Sequence, residues 1–195
     1  MNGNISNMLT NYIIRNGNID EEDREIYEYG FQSAIAMIIN TVTFFLICYI
    51  FNMFLEGVVY GILFMILRVY AGGVHLSSNI KCYILSGTIL IGTLILIKYT
   101  TMNQTLMVVF TAIACSIISF LSPVEDKNKP LDEVERTEYK KRTRTALKLD
   151  IFLFVILFLN NHEKFAYIVS ILLVEMAVFM ILGTMKNNMI RVRAK

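Results

Sequence analysis

Charge is scarce in this sequence. Asp, Glu, Lys and Arg make up 17% of its 195 residues and apolar types 55%, a balance that excludes an ordinary soluble domain. Proline is rarer still, with two residues, and cysteine occurs three times, at Cys48, Cys82 and Cys115. An odd number of cysteines without close spacing excludes a disulfide framework and a zinc cluster. No His-Glu-x-x-His motif and no Gly-x-Ser-Gly sequence occurs, so intramembrane metal and serine hydrolases lack their reactive groups. A net charge of +2 without a nucleic-acid motif argues against a nucleic-acid partner. No basic stretch leads at once into an apolar core at the start of the chain. The first long apolar run begins near Phe31, and no cleaved signal peptide is expected.

What the chain does have is apolar runs of bilayer-crossing length, about 20 residues per helix. The expected fold is an all-α polytopic membrane protein. Six spans are read at about 31–51, 53–70, 82–99, 106–121, 147–160 and 165–183, the fifth of them short. Five spans with a re-entrant fifth segment are the alternative. The tightest connection is Phe51-Asn52-Met53. The expected organisation is a single domain, with surface helices over 1–30, a transmembrane bundle over 31–183 and a basic tail over 184–195.

Ahead of the first span, Ile5, Met8, Leu9, Tyr12 and Ile13 recur at the spacing of one helix face, with Gly17 as a stop. Such a helix lies either on the membrane surface or against the protein's own bundle. Asp20-Glu21-Glu22-Asp23 then supplies acidic residues suited to the first turn of a second helix. With six spans, all but Lys98 and Lys164 of the 18 Lys and Arg fall on the side holding both termini. The positive-inside rule assigns that side, including the 70–82 loop, to the cytoplasm.

Polar, reactive side chains gather between two apolar runs in one place, Arg68-Val69-Tyr70-Ala71-Gly72-Gly73-Val74-His75-Leu76-Ser77-Ser78-Asn79-Ile80-Lys81-Cys82. On a continuous helix His75 and Cys82 would share a face but stand roughly 10 Å apart, too far for proton exchange. Gly72-Gly73 and Ser77-Ser78-Asn79 are residues that let the chain turn and bring the two together as a nucleophile and its base. A thiolate at Cys82 would be favoured by a helix N-terminus, by Lys81 and by Arg68. Cys48 and Cys115, inside apolar runs, read as small buried hydrophobes. The other histidine, His162, falls in an outer turn, away from Cys82.

The pattern Arg-x-x-x-Gly-Gly-x-His-x-x-x-x-x-x-Cys, the number of spans and the later Asn128-Lys129-Pro130 resemble the AgrB family, membrane cysteine endopeptidases that process a small precursor peptide into a cyclic quorum-sensing signal. The resemblance covers essentially the whole chain. It implies a bacterial cell-membrane protein with Cys82 as nucleophile, His75 as base, and Arg68 and Gly73 as supporting positions. Arg68 reads either as a snorkelling arginine or as a group that binds a substrate carboxylate or orients the site. Gly72 and Gly73 read as backbone devices, for positive φ or the close approach of a peptide.

Candidates for a third group orienting His75 are Asp150, Glu175 and Asn79. An ionisable side chain in mid-span, as Glu175 is, is costly and so a functional candidate. Asp150 and Glu175 read equally as structural hydrogen-bonding residues, and Ser77, Ser78 and Asn79 as loop or oxyanion donors. The basic run Arg136 to Lys148, centred on Lys140-Lys141-Arg142-Thr143-Arg144, suits contact with anionic lipid and attraction of an acidic peptide segment. The expected partner is a small propeptide with an acidic C-terminal part; no cofactor and no metal is expected. Whether two copies pair as a homodimer stays open. A non-enzymatic scaffold or peptide transporter is the rival reading, with Arg68 and Glu175 serving a permeation path.

Overall fold

A computed structural model describes residues 2–17, 20–74, 79–125 and 131–193. Among them are seven α-helices and no strand: α1 (Asn2–Arg15), α2 (Arg24–Ile50, after a single 3-10 turn), α3 (Phe54–Ala71), α4 (Asn79–Tyr99), α5 (Gln104–Leu121), α6 (Glu133–Leu159) and α7 (Glu163–Arg193). The protein is an all-α polytopic membrane protein.

The local chemistry of the connections sets the element boundaries. α1 stops just before Gly17, whose φ of +67° breaks the helix. Asn52, at φ +56°, turns α2 directly into α3. Asn103 caps α5 by accepting from the Thr105 N–H at 2.9 Å. α6 opens on a capping box: Asp132 accepts from the Glu135 N–H at 2.7 Å, and Glu135 reaches back to the Asp132 N–H.

That capping box changes the reading of the second large polar segment. The stretch expected as a polar loop followed by a short fifth span is, from Glu133 on, one unbroken helix. Nothing between Glu133 and Leu159 interrupts it, so the charged half and the apolar half share one axis. Among the described residues, five helices or helical segments are long and apolar enough to cross a membrane: Glu21–Ile50, Phe54–Ala71, Ile80–Tyr99, Gln104–Leu121 and Glu163–Met189. α6 falls short because its apolar part beyond Lys148 covers about 16 Å, half of a hydrocarbon core of about 30 Å.

Even so, α6 runs from one end of the bundle to the other. At its start Arg136 pairs with Glu125, near the α3–α4 connection; past its end Lys164 pairs with Glu56, at the start of α3. The re-entrant alternative is therefore not what the helix does. Two further boundaries move outward: α2 begins before residue 31, and α7 continues past Gly183 through the expected tail to Arg193.

α7 is the centre of the bundle, packed by α3, α4, α5 and α6. Most of its apolar stretch is buried, whereas that of α2 is almost wholly uncovered. Ala166, Ile168, Val169, Leu172, Leu173, Met176 and Met180 are wholly enclosed. In a bilayer such contacts hold by close van der Waals packing and interhelical hydrogen bonds rather than by escape from water. The Thr111 hydroxyl on α5 donates to Ser170 on α7 at 2.8 Å, a link of about 0.6–2 kcal/mol.

α1 lies against α2 with its polar side inward. Ser6 and Thr10 are enclosed, and Arg24 donates to Asn7 at 3.2 Å and Asn11 at 2.8 Å. The apolar stripe points away, with Ile5 52% and Met8 71% exposed. The two readings of this helix are thus both part of the answer: it packs on the protein and turns an apolar face outward.

Candidate functional site

The α3–α4 connection is pinned where it leaves α3. The Gly73 N–H donates to the Val124 carbonyl at 3.3 Å, Val124 N–H to the Ala71 carbonyl at 2.9 Å, and Val74 N–H to the Phe179 carbonyl at 3.1 Å. The loops after α3 and α5 and the third quarter of α7 therefore meet at one end of the bundle. Arg68, near the C-terminus of α3, supplies the remaining ties. Its guanidinium donates to the carbonyl of Gly72 and, at 2.5 Å, to that of Val74, while its plane lies 5.3 Å from the Phe179 ring centroid. In these contacts Arg68 orients the loop; among the described residues no carboxylate pairs with it.

The two glycines follow from this crowding. Gly72 has φ +75° and Gly73 φ +128°, conformations that L side chains rarely adopt. A Cβ on Gly72 would stand 2.0 Å from the Val124 carbonyl oxygen, and one on Gly73 2.0 Å from Arg68 Nη1. Gly183 on α7 completes the fit, since a Cβ there would fall 2.8 Å from the Val74 nitrogen.

Cys82 sits in the first turn of α4, half-buried, and Lys81 beside it is exposed. Arg68 lies within electrostatic reach of the Cys82 thiol. The first-turn N–H groups of a helix have no intrahelical partners and favour negative charge. His75, Ser77, Ser78 and Asn128-Lys129-Pro130 lie outside the described residues, and Asn79 enters only as the first residue of α4. His162 stands at the opposite end of the bundle, in the α6–α7 turn next to the Lys164–Glu56 pair.

Neither Asp150 nor Glu175 is brought to Cys82. Glu175 accepts from the Tyr60 hydroxyl at 2.6 Å and from the Thr93 hydroxyl. Thr93 is eleven residues beyond Cys82 on α4, about 16 Å along the axis. Asp150 is 2% exposed, on α6, and one of its carboxylate oxygens has no partner among the described residues. It lies about 16 Å deeper than Tyr139, whose ring meets that of Tyr70 at the loop end. Both carboxylates belong to the middle of the bundle.

Residues that sequence reading missed also shape this end: Val124, Glu125, Phe179, Gly183 and Asn187. Asn187 donates to the Glu125 carbonyl at 2.7 Å, and Glu125 pairs with Arg136. Nothing in local pattern marks them, because apart from the Glu125–Arg136 pair their contacts join segments more than 50 residues apart. The basic run lies on the first half of α6 at the same end. Lys140, Lys141, Arg142 and Arg144 are exposed and Thr143 is buried, with the Arg142 guanidinium 5.5 Å from the Tyr70 ring.

From this end a cavity of about 740 Å³ extends along the bundle between α2 and the α3–α4 pair. Tyr83 and Ser86, the next residue and one turn on from Cys82, form part of its wall, and Tyr60, Phe64 and Phe179 form its floor.

Comparison with known proteins agrees with the motif. The family described as accessory gene regulator B (AgrB) matches residues 6–181. An AgrB-like protein of Clostridium perfringens (strain SM101 / Type A) is 32% identical over 162 residues, covering 78% of this chain and 74% of its own. Accessory gene regulator protein B of Staphylococcus aureus (strain MW2) is 27% identical over 150 residues, covering 77% of this chain and 79% of its own. No solved structure matches. A match spanning most of the chain, joined to the Arg68, Gly72-Gly73, His75 and Cys82 pattern, makes this protein a member of the accessory gene regulator B family.

Proposed function

We propose that this protein is a membrane-embedded cysteine endopeptidase that cleaves a small quorum-sensing precursor peptide and promotes its cyclisation. One observation carries the reading. Cys82 stands in the first turn of α4, and Arg68, whose charge is felt at its thiol, fixes the backbone leading into His75.

In this mechanism His75 takes the thiol proton and the Cys82 thiolate attacks one backbone carbonyl of the precursor. First-turn N–H groups of α4 donate to the oxyanion in this reading. As the C–N bond breaks, the imidazolium returns its proton to the departing amine, leaving an acyl-enzyme thioester on Cys82. A Cys or Ser side chain within the bound portion then displaces Cys82 and closes a thiolactone or lactone ring, and the proton of that side chain returns to Cys82. Exchange of one thioester for another conserves acyl activation, and a site recessed at the membrane limits competition by water.

The loop end of the bundle faces the cytoplasm in this reading, with both termini. The basic face of α6 contacts anionic lipid and attracts the acidic C-terminal part of the precursor. A homodimer is compatible with the mechanism, and each chain carries its own Cys82 and His75.

The test is co-expression with the small peptide encoded nearest to this chain. Wild type should cut and cyclise it, whereas Cys82→Ser and His75→Ala should leave it intact. Purely linear, hydrolysed product from purified enzyme in membranes would remove cyclisation from the account. A scaffold or transporter is the second reading, favoured by the Tyr60–Glu175–Thr93 cluster in mid-span. It predicts function remaining after Cys82→Ser.

A further inference from the structure

The cavity between α2 and the α3–α4 pair plays no part in the chemistry described above. α2 meets α3 and α4 near the turn end, where Lys98 donates to the Phe51 carbonyl, and through the Thr43–Tyr83 hydroxyl pair at 2.8 Å. Elsewhere it stands off, leaving a groove lined on α2 by Ser33, Met37, Asn40 and Phe44, a three-and-four-residue stripe. Asn40 and Ser33 are exposed along it. Asn40 lies near the middle of α2, where a carboxamide facing plain hydrocarbon is unfavourable. Lipid chains offer these side chains no hydrogen bond, whereas a peptide backbone does.

We infer that this groove holds the acyl-side segment of the substrate peptide: the residues that precede the bond cut by Cys82, carrying large apolar side chains. The inference rests on the endopeptidase reading. Its first support is continuity, because the groove wall begins at Tyr83, the residue after Cys82. A peptide whose carbonyl meets the thiol has one flank in the groove and the other outside it.

Charge decides which flank. No charged residue is among the described residues lining the groove, so an acidic segment would lose its hydration there without a partner. The exposed Lys140, Lys141 and Arg144 of α6 lie at the aqueous end and suit the departing acidic flank. The groove is left for the retained, apolar flank. Backbone donors and acceptors of that flank find Ser33, Asn40 and Ser86, and its side chains find Phe44, Phe64 and Met65.

The length of the groove gives a register. Gly87 is five residues beyond Cys82, about 7.5 Å along α4. An extended peptide rises about 3.3 Å per residue, so the second or third residue before the cut reaches Gly87. A Cβ on Gly87 would have nothing within 4 Å, so bulk added there enters the groove without a clash in the protein. Gly92 on the same helix is equally open but does not line the groove, and serves as the control.

The experiment measures acyl-enzyme formation by intact mass in proteoliposomes against concentration of a synthetic precursor peptide. Wild type, Gly87→Phe and Gly92→Phe are compared, each with the native peptide and with peptides whose large apolar residues before the cut are changed one at a time to Ala. Gly87→Phe should raise the half-saturating concentration about tenfold or more, since overfilling a packed site costs that much. Gly92→Phe should match wild type. One trimmed peptide should restore part of the loss in Gly87→Phe, a rescue that a folding defect would not give. Wild-type behaviour of Gly87→Phe, or a loss that no trimmed peptide relieves, overturns the inference and leaves the groove to lipid chains. If wild type itself forms no adduct, the endopeptidase reading fails instead.

Discussion

The Arg68 guanidinium and the Val74 carbonyl are 2.5 Å apart, and Val74 is the residue before His75. One side chain on α3 thus fixes the backbone from which the proposed base departs, and its charge is felt at the proposed nucleophile. The hydrogen bonds to the Gly72 and Val74 carbonyls separate Arg68 from an arginine that merely reaches for the membrane surface.

Replacing Arg68 tests that role. Lys retains a charge but not the planar fork that holds two carbonyls at once. Arg68→Lys should therefore slow acyl-enzyme formation by about 100-fold, the scale of a misplacement of about 1 Å at a reacting group. Arg68→Ala should slow it further. Rates for Arg68→Lys close to wild type would mean that charge alone suffices.

The loop glycines should be as intolerant as the contacts around them. Gly73→Ala and Gly72→Ala each force a Cβ to 2.0 Å from a neighbour at positive φ. Each should cost about 1–3 kcal/mol of local strain and lose activity. Gly30→Ala, in α2 with open space around it, should be neutral or slightly stabilising. Thermal unfolding in detergent together with an acylation assay reads both effects.

Much of this was legible in the sequence, and the rest was not for physical reasons. The stop at Gly17, the turn at Asn52 and the start of the second helix after an acidic cluster follow from local chemistry. The Arg68 to Cys82 pattern is likewise local. The unbroken α6 was missed because hydropathy registers its apolar half and its charged half separately, although Asp132 and Glu135 spell a capping box. Val124, Phe179 and Gly183 were invisible because their importance lies in carbonyls and space offered to a distant loop. The outward apolar face of α1 needed the Arg24–Asn7–Asn11 contacts to be seen.

Glu175 should prove structural rather than catalytic. Glu175→Leu leaves the Tyr60 and Thr93 hydroxyls without their acceptor, which should destabilise the bundle by about 1–3 kcal/mol. Glu175→Gln keeps an acceptor and should acylate at close to the wild-type rate. Loss of acylation in Glu175→Gln with unchanged stability would tie the mid-span cluster to function and favour transport.

The arrangement of ends predicts sidedness. On a background with Cys48, Cys82 and Cys115 all replaced, single cysteines introduced at positions 140 and 161, in place of Lys140 and Asn161, should label from opposite sides of the membrane, position 140 from the cytoplasm. Labelling of both from one side would mean that α6 does not carry the chain across.

The most direct test of the central claim is the intact mass of the protein after co-expression with the small peptide encoded nearest to it. The account predicts a hydroxylamine-sensitive adduct on Cys82, absent from Cys82→Ser and His75→Ala, whose mass identifies the bond cut. An unmodified Cys82 beside an uncut peptide, with ordinary alkylation of the thiol, would contradict it.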